Sequence, residues 1–162
     1  MSSQVSVLRG VELEAWVRFL RAHAAITRQF TSELVATHGL TLNDYEVLLH
    51  LSRAQDRSLK RVELSERVLL TPSGITRLLS GLERAGYVTR RECASDARVT
   101  YAVLTDEGLE KLRRASETHL ASVRALFSER FEKGELETLA SLLDRLPMRE
   151  GDVNDACEPD EA

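Results

Sequence analysis

The chain has 162 residues, 43% of them hydrophobic and 30% charged, with a formal net charge of −4. This size fits one ordinary domain, and this balance supplies too much apolar mass for a disordered chain. No apolar run approaches the ~18 residues that would span a bilayer, and two cysteines, Cys93 and Cys157, lying far apart, make no metal spacing and do not amount to a disulfide framework.

Residues 1–10 lack the basic-then-apolar profile of a secretory leader, so a cytoplasmic protein is expected. Residues 11–38 then read as one long helix. Leu13, Trp16, Val17, Leu20, Ala24, Phe30 and Leu34 recur at three- and four-residue spacing and form one apolar stripe. Gly39 is the expected stop. Thr41 opens a second helix over about 42–54, with Asp44 in its first turn, and a short third helix is expected over about 61–68. Thr71-Pro72 begins a fourth. Threonine suits the N-cap, and proline the first helical position, where its missing N–H costs nothing. Ile75, Leu78, Leu79 and Leu82 form its inner face, and Gly86 ends it.

Two alternating runs, Tyr87 to Glu92 and Val99 to Leu104, surround the polar stretch Cys93 to Arg98 and predict a β-hairpin. Thr105 caps a long helix over about 106–131, and a leucine-rich helix over about 135–146 follows. The chain is therefore expected to be mainly α, with five to six helices and one hairpin. A short helix, a tight turn, a second helix and then a hairpin make a helix-turn-helix with a wing.

Net negative charge is unusual for a protein that meets nucleic acid, but its distribution is uneven. Residues 147–162 carry Glu150, Asp152, Asp155, Glu158, Asp160 and Glu161 against Arg149 alone. With Gly151 and Pro159 this acidic tail is expected to be disordered. Residues 60–98 instead carry an excess of base, in Lys60, Arg61, Arg67, Arg77, Arg84, Arg90, Arg91 and Arg98.

Leu64-Ser65-Glu66, Thr71 to Leu78, Leu82 to Val88, Arg90-Arg91, Asp96-Ala97-Arg98 and Leu104 to Gly108, in this order and spacing, resemble the MarR family of bacterial regulators. The resemblance covers about residues 11–146. It implies a homodimer through the terminal helices, with residues 11–40 and 106–146 as the dimerisation region and 41–105 as the winged helix-turn-helix. It also implies a palindromic duplex-DNA operator and, often, a small organic effector that weakens DNA binding.

With Ile75 and its neighbours inward, the fourth helix turns Ser73, Thr76, Arg77 and Ser80 outward, next to Thr71. Short hydroxyl side chains allow close approach to DNA, and an arginine can pair with guanine or with phosphate. In the resemblance, Arg98 enters the minor groove and Asp96 holds its side chain. Arg90 and Arg91 flank the wing and either meet phosphates or brace the loop. The bland reading of all these groups is a solvated polar surface.

For the effector, Trp16 resembles a tryptophan that a urate-binding subgroup places near its ligand, and His50 is a second candidate. Packing in the core or a dimer interface is the bland alternative for Trp16. His23, His38 and His119 read as surface or core histidines, and His119 lacks a histidine four residues away that zinc binding would use. No metal or cofactor is expected. Cys93 at the wing reads as a neutral filler rather than a redox group. No phosphate-binding glycine loop, Gly-x-Ser-x-Gly elbow or HExxH pair is present, so an enzyme is not expected. The competing function is a helical dimerisation or partner-binding module whose winged helix does not bind DNA.

Overall fold

The computed structural model describes residues 9–68, 70–93 and 99–147. Helix α1, Val11–His38, ends where expected. Gly39 takes the left-handed conformation at φ 66° and sends its N–H to Val35 O, while the Leu40 N–H reaches Leu34 O. Burial on α1 is confined to Phe30 and Leu34 near its C-terminal end. Val11, Leu13, Trp16, Phe19 and Leu20 are all exposed in the single chain.

The chain divides into two compact units, the first ending at Leu42 and the second beginning at Asn43. The second unit holds, in order, α2 (Leu42–Arg53, nearly all of it), a 3-10 turn (Gln55–Arg57), β1 (Ser58–Lys60), α3 (Arg61–Arg67), α4 (Pro72–Arg84), β2 (Val88–Glu92), β3 (Thr100–Leu104), α5 (Asp106–Ser128) and α6 (Lys133–Leu143). Its core includes Tyr45, Leu48 and Leu51 of α2, Leu64 of α3, Ile75, Leu79 and Leu82 of α4, and Leu112 and Ala115 of α5.

The predicted hairpin is part of a larger sheet. Strand β3 pairs antiparallel with β2 on one side and with β1 on the other. Leu59, the middle residue of β1, is buried between a half-buried Ser58 and an exposed Lys60. Asp56 and Arg57, just before β1, both have positive φ, and the Arg57 guanidinium meets Asp106 at the start of α5 at 2.8 Å.

Helix α5 stops at Ser128, short of the expected 131, and α6 begins two residues early at Lys133. Glu132 caps α6, with its N–H donating to the Glu135 carboxylate at 2.9 Å. No residue of α6 is buried, and Leu142 and Leu146 are exposed. The predicted acidic tail, apart from Pro147, lies outside the described residues.

Candidate nucleic-acid interface

Helix α3 starts with the Glu63 carboxylate accepting the Lys60 N–H at 3.1 Å and ends with the Val68 N–H on Leu64 O. The chain then enters α4 through Thr71, whose Oγ1 accepts the Gly74 N–H at 3.1 Å, followed by Pro72 as expected. Ile75, Leu79 and Leu82 face inward and are buried. Leu78, expected among them, is only half-buried. It lies at the edge of the apolar stripe, where helical twist carries it toward the boundary.

The opposite side of α4 presents the predicted groups. Ser73 and Arg77 are exposed, and Thr76 and Ser80 are half-buried. The Arg77 guanidinium makes no hydrogen bond or ion pair to any other described residue. Thr76 Oγ1 donates to Pro72 O at 2.7 Å, and Ser80 Oγ to Thr76 O at 2.9 Å. With their protons committed to the helix's own carbonyls, these hydroxyls offer lone pairs outward, and Thr76 adds a methyl group. Thr71 Oγ1 and Ser73 Oγ lie 3.2 Å apart at the helix start.

The exit from α4 is tied to the start of α5. Gly86 adopts φ 80°, and its carbonyl accepts from Thr105 Oγ1 at 2.8 Å. The same oxygen of Thr105 caps α5 by accepting the Gly108 N–H at 2.9 Å. The Thr105 N–H donates to Tyr87 O at 3.1 Å, fixing the first residues of the wing. Strands β2 and β3 then pair from Val88–Leu104 out to Glu92–Thr100, and the Cys93 N–H extends the ladder to Val99 O.

Arg90 and Arg91, adjacent in sequence, project to opposite faces. Arg90 Nε donates to Glu83 of α4 at 2.6 Å. Arg91 donates to Ser58 Oγ at 3.0 Å, and its guanidinium lies 5.1 Å from the centre of the Tyr101 ring. Asp96 and Arg98, the predicted wing tip, lie outside the described residues. Trp16 is 54% exposed on α1 of the first unit, and His50 is half-buried on α2 of the second. His119 is buried on α5, edge-on to the Tyr45 ring at 4.8 Å, which is a core position.

Sequence reasoning missed Glu83, Ser58 and Tyr101, the partners of the two wing arginines. Seven, thirty-three and ten positions separate these residues from the arginines they meet. Each pair joins two different elements, so no period within one helix or strand relates its members.

A short helix, a turn, a second helix with a polar outer face and an antiparallel wing together define a winged helix-turn-helix protein. A family model described as MarR family matches residues 38–99. AbsC, a MarR-family transcriptional regulator from Streptomyces coelicolor, is 32% identical, with a TM-score of 0.76 over 86% of this chain and 93% of AbsC. Sco3205, a MarR-family regulator from the same organism solved in complex with DNA, is 27% identical, with a TM-score of 0.78 over 99% and 96% of the two chains. The transcriptional repressor YetL of Bacillus subtilis is 32% identical over 116 residues, 70% of each chain. The chain belongs to the MarR family of transcriptional regulators. It is a regulator and not an enzyme.

Proposed function

We propose that this regulator is a repressor that binds a palindromic duplex operator as a homodimer. Helix α4 lies in the major groove and the wing reaches the adjoining minor groove. The observation that carries this reading is the exposed face of α4, where Ser73 and Arg77, whose guanidinium has no partner among the described residues, stand above a buried apolar back. Sco3205, solved on DNA, shares this fold and 27% of its residues. The repressor sign is supported by the name of YetL. Action on a chromosomal operator assigns the protein to the cytoplasm.

Thr71, Ser73, Thr76, Arg77 and Ser80 form the major-groove surface in this reading. Arg98, steadied by Asp96, is the minor-groove residue, and its role rests on the resemblance of Asp96-Ala97-Arg98 to the family's wing motif. A narrow A·T-rich minor groove concentrates negative potential and attracts an arginine there. The terminal helices α1, α5 and α6 supply the dimer interface. Two modules on successive major grooves need a two-fold partner, and the exposed apolar residues of α1 and α6 support that placement.

A small organic ligand releases the operator by binding better to a dimer whose α4 helices are mis-spaced for the two grooves. Trp16 and, separately, His50 are candidate ligand contacts.

Titration of DNA binding against salt tests the reading. Affinity should fall steeply, with a log–log slope near −0.9 for each neutralised phosphate. Arg77→Ala should weaken operator binding by about 1–3 kcal/mol, roughly five- to 150-fold. The net charge of −4 favours the competing partner-binding module, which shows no saturable DNA binding in the same titration.

A further inference from the structure

We propose that Glu83 and Arg90 form a clamp that sets the angle of the wing against α4, making both of them positioning residues for DNA recognition. The inference rests on the DNA-binding reading above and, of the two roles the sequence offers Arg90, selects bracing over phosphate contact.

Arg90 shares a face of β2 with the buried Val88 and pairs across the ladder with the buried Ala102. That face looks toward α4, and there Arg90 Nε meets Glu83 Oε1 at 2.6 Å. Arg90 keeps 52% of its side chain exposed and Glu83 only 24%, so the carboxylate is the more enclosed partner. Glu83 follows the buried Leu82 and rides on the rigid back of α4 rather than on a loop. Arg61, Thr76 and Thr100 line the same crevice.

Arg91 is tied the other way, to Ser58 of β1 and over Tyr101. The base of the wing is therefore held both inward and outward. Strand β2 is the sheet edge that β1 does not reach, and a strand held by one neighbour is free to twist. A recognition site needs its elements placed within about 0.5 Å, which a ribbon reaches only when something locks its base.

Electrostatics makes the clamp testable by sign. Glu83 is an acid on the helix proposed to enter a polyanion's groove. Neutralising it adds one unit of positive charge, which by long-range attraction alone tightens binding. A clamp predicts the opposite.

The experiment uses the full chain and a duplex selected from a random pool, with binding followed by fluorescence anisotropy between about 50 and 200 mM salt. E83Q and R90M should each weaken binding roughly tenfold, and the double variant should be no weaker than the weaker single variant. All should keep the wild-type salt slope. The clamp is overturned if E83Q binds as tightly as wild type or more tightly, if the two effects add, or if R90M lowers the slope by about 0.9, one phosphate's worth. The charge-swapped E83R/R90E is a second measurement should a single variant melt below the assay temperature. Recovered binding supports the clamp, and a persistent loss assigns residue 90 to phosphate. Failure of the wild-type chain to bind any selected duplex overturns the underlying DNA-binding reading instead.

Discussion

Gly108→Ala should lower the thermal midpoint by about 6–12 °C, because no room exists for a methyl group in the first turn of α5. A Cβ at Gly108 would sit 2.1 Å from Tyr87 O and 2.8 Å from Leu104 Cδ1. The leucine methyl can turn aside, but the carbonyl is backbone. It accepts the Thr105 N–H at 3.1 Å, and the preceding carbonyl, of Gly86, accepts Thr105 Oγ1. Retreat of Tyr87 would break the joint that fixes both the end of α4 and the start of β2. Overpacking against backbone belongs at the upper end of the usual range, about 3 kcal/mol. For a chain of this length each kcal/mol moves the midpoint by about 2–4 °C. Thermal melts followed by circular dichroism read the effect. A midpoint within about 2 °C of wild type would mean that the helix start and the wing are not packed this closely. The same substitution should also weaken operator binding at temperatures where the protein is folded, since the joint it strains aims the wing.

The parts of this fold that the sequence declares are those that local chemistry decides. Gly39 closes α1 and Thr71-Pro72 opens α4 because a left-handed cap and an N-cap followed by proline each depend on a few adjacent residues. The helix ranges expected from caps and apolar spacing match the described α-helices to within a few residues. It failed where the apolar period outlasts the helix. Phe127 and Phe131 continue the stripe of α5, but the regular helix stops at Ser128 and Phe131 is exposed. Helix α6 starts earlier than the sequence suggests because Glu132, not a serine or threonine, provides its capping box. Strand β1 has three residues, too few for an alternation to be counted, and exists because β3 offers it an edge. The outward set on α4 was legible from helical twist, whereas the Glu83–Arg90 pair was not. Nothing in a list of surface charges tells which arginine faces which carboxylate until the sheet twists one toward the helix.

In the homodimer proposed above, the joint introduction of Trp16→Glu and Leu20→Glu should leave only monomer at about micromolar concentration. On α1, Trp16 and Leu20 are one helical turn apart and both exposed in the single chain, next to exposed Leu13 and Phe19. Grouped apolar residues of this size on a soluble protein mark a surface that another chain covers. Two carboxylates placed in such an interface must shed water without partners, at a cost of several kcal/mol. Within the single chain they cost little, because the positions are exposed and glutamate is a good helix former. Sedimentation velocity reads the change in mass, and circular dichroism should show the helical content preserved. The effect on DNA should be larger than that of any single contact residue. A dimer on two half-sites gains its second contact at high effective concentration, so losing the partner should weaken binding to a two-half-site duplex by about 10²–10⁴-fold. Affinity for an isolated half-site should stay at the wild-type value, because α4 and the wing are untouched. Wild-type mass with wild-type affinity for the full site would move the interface away from the first turns of α1.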